Sequence, residues 1–194
     1  MAYDPASERA FFTNSAADEV VILDVIDPTN PYKVGHIDVS MLDVGGMTVP
    51  TGGVNSVAVE NGLVAVALEN DDPLQDGYVG FYDTSGNFEG SVVVGTLPDM
   101  LTFTPDGDHV LVANEGEPSD EGRAPAMATG EGGFQVQAVF TVGHKINGYT
   151  PPGILDGLGA IEHPTDSTKV RVYANHELLH FQGYEYSVSD GAGG

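Results

Sequence analysis

The sequence predicts an all-β protein, a β-propeller with about four blades or a fragment of a larger propeller. Three observations lead to this fold class. The chain has 26 Gly and 12 Pro in 194 residues, a content typical of turn-rich β proteins. No segment shows the 3.6-residue period of an amphipathic helix. A short phrase also recurs at intervals of roughly 45 to 60 residues, which is typical of blade-like repeats.

The recurring phrase describes a pair of strands. An acidic or amide residue opens a short apolar strand, a turn with Pro, Gly or Asp follows, and a second apolar strand ends in Asn or Glu. The copies begin at Tyr3, Asn55, Asp99 and Asp156, and the first lacks its start. Each copy predicts the two inner strands of one blade.

The first two predicted units lie between residues 10 and 94. Apolar runs at 10–14 and 20–25 predict a hairpin, a turn cluster follows at 27–31, and residues 32–40 predict an outer strand. Residues 41–53 are interpreted as a Gly-rich loop. Strands at 54–59, 63–68, 78–83 and 91–94 then make up one complete blade.

The remaining units are less regular. The third opens at residues 97–99 and ends its second strand at Asn114. An acid-rich Gly/Pro segment follows, and strands are predicted at 134–142, 157–161, 170–174 and 181–188. The predicted organisation is therefore blades over 1–120, a loop or linker over 121–133, and further blades of the same propeller over 134–194. Both chain ends interrupt a unit, so we expect a fragment of a longer propeller, with closure into four blades as the alternative.

The net charge of the chain excludes several classes of binding partner. The chain carries 29 Asp and Glu against six Lys and Arg, a net charge of −23. Such a field repels nucleic acids and anionic membranes. Two explanations remain open, a salt-adapted (halophilic) surface and the binding of divalent cations, and we expect the first to account for most of the charge. The absence of Cys excludes disulfides and thiolate metal ligands.

Neither a membrane span nor a signal peptide is predicted. No run of about 18 apolar residues occurs. The start of the printed sequence has no basic region followed by an apolar one.

Strand ends that recur in sequence are expected to recur in space, so their oxygen-bearing side chains should converge. This reasoning selects Asp99, Glu115, Asp156 and Glu177 as metal ligands, with Ca²⁺ as the expected ion. Glu117 lies with Glu115 in an acidic turn that can wrap a hard cation, and the alternative is a solvated acidic turn. Residues 69–72 could add a carboxylate, or form a surface turn, which we favour.

The sequence Asn175-His176-Glu177 is the other distinctive segment. Neighbours in a strand point to opposite faces, so we assign Glu177 to the site and interpret His176 as a packed or capping histidine. No nucleophile elbow and no phosphate-binding P-loop is present.

Two family resemblances follow from these phrases. Residues 97–107 (Leu-Pro-Asp-Met-Leu-Thr-Phe-Thr-Pro-Asp-Gly) and 113–120 (Ala-Asn-Glu-Gly-Glu-Pro-Ser-Asp), together with 3–14 and 53–70, resemble the choice-of-anchor I propeller proteins, often labelled alkaline-phosphatase-like. Residues 148–186, with Asp-Gly-Leu-Gly and Val-Tyr-Ala-Asn-His-Glu-Leu, are similar to PhoX-type alkaline phosphatases.

The resemblances imply an extracellular or periplasmic propeller that binds calcium and hydrolyses phosphate monoesters. Carried over by motif, Asp156 and Glu177 would be metal ligands with Asn175 as a polar neighbour, and Glu115 and Glu117 would come from the adjacent blade. PhoX proteins also bind iron through a cysteine, and this chain has none, so iron is not expected. The alternatives are a non-catalytic calcium-binding module for adhesion or scaffolding, and a truncated inactive fragment. Open propeller edges would allow oligomers.

Overall fold

The computed structural model describes residues 1–115 and 154–177, and only the backbone of residues 154–156 and 176–177. All the regular structure in these residues is β-strand, and they contain no helix that could cross a membrane. The predicted all-β fold class is confirmed. Thirteen strands are described, with these bounds: β1 Ala2–Asp4, β2 Arg9–Asn14, β3 Glu19–Asp24, β4 Tyr32–Asp38, β5 Met41–Val44, β6 Met47–Glu60, β7 Leu63–Asn70, β8 Asp76–Asp83, β9 Phe88–Thr96, β10 Pro98–Phe103, β11 Val110–Asn114, β12 Ile154–Glu162 and β13 Val170–Glu177.

The strands form four antiparallel sheets in chain order. Sheet 1 has the order β1-β2-β3-β4 and sheet 2 the order β5-β6-β7-β8-β9, while β10-β11 and β12-β13 form two hairpins, here called hairpin 3 and hairpin 4. Each sheet is a meander of sequential strands, the arrangement expected of propeller blades. Strand β10 packs against β6, β7 and β12, so the sheets follow one another in space as they do in sequence.

The interpretation of residues 41–53 as a Gly-rich loop is wrong. Strand β5 pairs with the first part of β6, with Asp43 opposite Thr48. Gly45 and Gly46 both have positive φ angles, 68° and 76°, and they form a two-residue hairpin turn. The glycines therefore mark one tight turn rather than a loop, and Leu42 of β5 is buried in the core.

The core lies on both faces of sheet 2. One cluster joins sheet 2 to sheet 1 and includes Phe11, Ile22 and Leu68. The other joins sheet 2 to hairpin 3 and includes Phe81 and Leu101. Strand β7 reads as a continuous apolar run because its side chains alternate between the two clusters. Face-to-face packing of successive sheets fits a propeller-like architecture.

Candidate metal site at the inner strand ends

In the second, third and fourth repeats, the acidic or amide residue that opens the unit lies at a β-bulge. The register shifts between Val54 and Ser56 in β6 and between Pro98 and Met100 in β10. It shifts again between Leu155 and Leu158 in β12. The residues at these irregularities include Asn55, Asp99 and Asp156. A bulge bends the strand and redirects a side chain, and bulges are frequent beside functional sites.

Strands β6 and β10 belong to different sheets and pack against each other. The Asn55 Nδ2 atom donates a hydrogen bond to the Pro98 carbonyl oxygen at 3.1 Å. One residue further along β6, the Ser56 hydroxyl oxygen accepts a hydrogen bond from the Leu101 backbone N–H at 3.3 Å. These contacts bring Asn55 close to the start of β10, which contains Asp99. We call this region the inner-strand end and define it by Asn55, Glu69, Asp99, Asn114 and Glu115.

Asn55 also fixes a carboxylate. Its Nδ2 atom donates to Glu69 Oε1 at 2.8 Å, so one amide group connects a carboxylate of its own sheet to the backbone of the next hairpin. The surface turn predicted for residues 69–72 is present only after Glu69. Glu69 itself is half-buried. Asp71 and Asp72 are exposed, and the amide of Asn70 donates to the Asp76 carbonyl oxygen and the Tyr78 hydroxyl.

Hairpin 3 brings Asp99 and Glu115 to its open end. The Glu115 N–H donates to the Leu97 carbonyl oxygen at 2.8 Å, which extends the pairing of Pro98 with Asn114 by one step. Leu97 has a φ angle of 51°. A leucine in this left-handed region costs on the order of 1 kcal/mol or more, and such strain occurs often at functional sites.

Asn114 presents an unusual amide oxygen. Its Oδ1 atom is buried and has no hydrogen-bond partner among the described residues. The rest of the amide packs on Gly95, where an added Cβ would lie 2.8 Å from Asn114 Cγ. A buried acceptor left unpaired is costly, and an amide oxygen is a ligand that calcium uses in proteins. This oxygen belongs to the residue next to Glu115.

The other residues predicted for the site are placed only in part. Asp156 lies in β12 and Glu177 in β13, where Glu177 pairs with Ile154, but their side chains lie outside the description. The Asn175 amide packs against the position of Gly157, 3.0 Å from a Cβ built there. Glu117 lies outside the described residues.

The described residues alone do not form a metal cluster. In the ranges 1–115 and 154–177, no three His, Asp or Glu side chains come together to hold an ion. The set comprising Asp99, Glu115, Glu117, Asp156, Asn175 and Glu177 stays a prediction. The sequence analysis did not assign Asn55, Glu69 or Asn114 to the site, although the start of the second repeat at Asn55 was a signal for the first of them.

Many other carboxylates have a structural role in turns. Hydrogen bonds from nearby hydroxyl, amide or ammonium groups lower the pKa of five aspartates below its ordinary value of 3.8. They are Asp27, Asp38, Asp83, Asp106 and Asp166. In Asp38, for example, the Ser40 hydroxyl is the largest cause, followed by the Ser40 backbone N–H. Some of the acidic side chains thus stabilise turns and are not needed to explain a ligand site.

Comparison with known families decides the affiliation of the chain. Residues 1–147 match the family model described as the choice-of-anchor I domain. The chain belongs to the choice-of-anchor I family. This affiliation suggests a surface-anchor or extracellular module. Searches of curated proteins and of solved structures give no significant match. The choice-of-anchor I match covers all of sheets 1 and 2 and hairpin 3, and the PhoX-type resemblance of the last third is not shown by it.

Proposed function

We propose that this choice-of-anchor I domain is a non-catalytic, calcium-binding propeller module, in which a cation at the inner-strand end ties neighbouring blades together. The observation that carries the proposal is the double hydrogen bond of Asn55. It joins the carboxylate of Glu69 to the backbone at Pro98, one residue before Asp99. Oxygen-bearing side chains of two successive sheets are thereby brought to one end.

The chemistry of this end favours a hard cation. In this proposal Asp99 and Glu115 would contribute carboxylates and Asn114 its buried amide oxygen, while Glu69 Oε1 accepts a hydrogen bond from Asn55. Calcium takes six to eight oxygen ligands in flexible geometry, so further ligands would come from Glu117, Asp156 and Glu177. A divalent ion would also offset repulsion among carboxylates in a chain of charge −23.

Melting temperatures in calcium and in a chelator test this proposal. A ligand at about 100 times its dissociation constant adds about 2.7 kcal/mol to the free energy of unfolding. For a chain of this size we expect saturating calcium to raise Tm by roughly 5–10 °C. In the double variant Asp99→Asn/Glu115→Gln most of this increase should be lost.

The matched control removes two carboxylate charges elsewhere, one at the far end of β6 and one in the turn between β10 and β11. In Glu60→Gln/Asp108→Asn the calcium effect on Tm should equal that of the unmodified chain. Equal calcium effects in both double variants, or no calcium effect in the unmodified chain, would rule out the inner-strand end as the site.

The phosphomonoesterase function rests on the two family resemblances, and nothing in the described residues supports it. Turnover of p-nitrophenyl phosphate tests it, with calcium or chelator, at low and high salt. Under the proposal made here no turnover is expected in any of these conditions. Calcium-dependent turnover would replace the scaffold proposal by a catalytic one, in which the bound ion would clamp the phosphate oxygens.

A further inference from the structure

A second polar region lies away from the inner-strand end, in a cleft between sheets 1 and 2. This open cleft has a volume of about 380 Å³ and is bordered by the end of β4, the β5–β6 hairpin and the β8–β9 turn. Six of its lining residues matter here: Asp38, Met41, Asp43, Thr48, Tyr82 and Phe88.

The apolar part of the cleft is aromatic. The rings of Tyr82 and Phe88 meet edge to face, with centroids 5.7 Å apart and an interplanar angle of 67°. Tyr82 is buried, whereas Phe88 and Met41 are 44% and 49% exposed, although large apolar side chains are usually buried. Burial and the nearby charge of Asp38 raise the pKa of Tyr82 to about 12, so its ring stays neutral.

The charged part of the cleft is anionic. Asp38 Oδ1 accepts hydrogen bonds from the Ser40 backbone and hydroxyl, and Asp43 Oδ1 accepts one from the Gly46 N–H. Within the described part of the chain, no donor reaches the second oxygen of either carboxylate. Among the residues that the structure describes, no Lys or Arg lines the cleft, and its ionisable groups besides the two carboxylates are His36 and Tyr82.

We propose that this cleft binds organic ammonium cations, with a quaternary ammonium group as the preferred ligand. Aromatic faces attract such cations, and carboxylates complement their charge. A small, strongly hydrated metal ion would gain little from the walls formed by Met41, Tyr82 and Phe88. The methyl groups of a quaternary ammonium group would contact these walls. This inference is independent of the calcium proposal.

Methyl NMR of the intact chain, labelled at its methionine methyl groups, tests the proposal. The chain has five Met, and Met41 borders the cleft whereas Met100 lies beside Asp99. The Met41 signal is assigned with the variant Met41→Leu. Titration with choline chloride at constant ionic strength should shift the Met41 signal saturably and leave the Met100 signal unchanged. Calcium should affect Met100, so the two proposals are tested separately by one spectrum.

Variants and a second probe make the result specific. Phe88→Leu should weaken choline binding roughly fivefold, because it removes the aromatic face. Asp38→Asn should also weaken it severalfold. Asp27→Asn is the matched control, because Asp27 accepts hydrogen bonds from Thr29 as Asp38 does from Ser40. Ethanolamine, which lacks the methyl groups of choline, should bind more weakly than choline.

Three outcomes would overturn the proposal. In the first, sodium shifts the Met41 signal as much as choline does. In the second, Asp27→Asn and Asp38→Asn lose equal affinity for choline. In the third, ethanolamine binds as tightly as choline. Each would show non-specific attraction to an acidic surface.

Discussion

At the scale of single residues, the approach of two sheets depends on a glycine. A Cβ added at Gly77 would lie 2.5 Å from Pro98 Cδ and 2.7 Å from the Leu68 carbonyl oxygen. Pro98 is buried and follows the strained Leu97. The start of β8 and the inner-strand end are thus packed together without space for a side chain. The sequence does not show this requirement, because it arises from residues 21 positions apart.

The variant Gly77→Ala should therefore be destabilised. We expect a loss of about 1–3 kcal/mol in the free energy of unfolding, since backbone atoms have to move. This corresponds to a decrease in Tm of roughly 3–10 °C, measurable by circular dichroism. The control Gly53→Ala lies in β6, where an added Cβ meets no atom within 4 Å, and its Tm should change little. Equal stability of the two variants would contradict the packing described for Gly77.

At the scale of the elements, strand positions followed from hydrophobic alternation and turn residues. The hairpin formed by the strands predicted at 54–59 and 63–68 is confirmed, with its turn at Asn61-Gly62, and so is the strand pair predicted between residue 97 and Asn114. Strand β5 was missed because glycine in sequence does not distinguish a two-residue turn from a loop. The bulges at Asn55 and Asp99 could not be predicted either, since register depends on pairing between strands.

The bulge at Asn55 leads to a prediction about the contact between sheet 2 and hairpin 3. Asn55→Ala leaves Glu69 Oε1 and the Pro98 carbonyl oxygen without this donor. The free energy of unfolding should fall by about 1–2 kcal/mol. Asn30→Ala, in the exposed turn before β4, is the control. If chemical denaturation shows equal stability of Asn55→Ala and the unmodified chain, the bridge between the two sheets contributes nothing.

The candidate metal site stays a prediction. The repeat assigned Asp99 and Glu115 to one pair of strands, and that hairpin is present, but the pairing does not test their role as ligands. Sequence reasoning left out Glu69 and Asn114 because their role depends on contacts with Asn55 and Gly95, which no spacing rule reveals.

At the scale of the whole molecule, charge opposes a compact fold. Repulsion among exposed carboxylates is screened over about 10 Å at about 0.1 M salt and over about 3 Å at about 1 M. A chain of charge −23 should therefore gain stability from added NaCl, and Tm should rise across this range. A constant or falling Tm would argue against salt adaptation as the reason for the composition.

Acid should destabilise the molecule once repulsion is screened. The pKa values of Asp27, Asp38, Asp83, Asp106 and Asp166 are lower in the folded chain than their ordinary value of 3.8. Their contribution is fully present above the unfolded pKa and is lost as pH falls through the folded pKa. At high salt, Tm should be constant from about pH 7 to about pH 5 and fall below about pH 4.

The variant Asp83→Asn provides the check on this acid transition. Asparagine can still accept the backbone hydrogen bonds of Ser85 and Asn87 but does not titrate. The fall in Tm should therefore be slightly smaller than in the unmodified chain. A Tm that rises on acidification at high salt would show that residual repulsion outweighs these turns.

The inner-strand end is tested most directly by a crystal structure of the chain with a lanthanide ion in place of calcium. Anomalous scattering locates such an ion without reference to any assumed site. The account predicts one strong peak within about 2.3–2.6 Å of carboxylate oxygens of Asp99 or Glu115. A fully occupied ion elsewhere, with both of these carboxylates facing solvent, would contradict it.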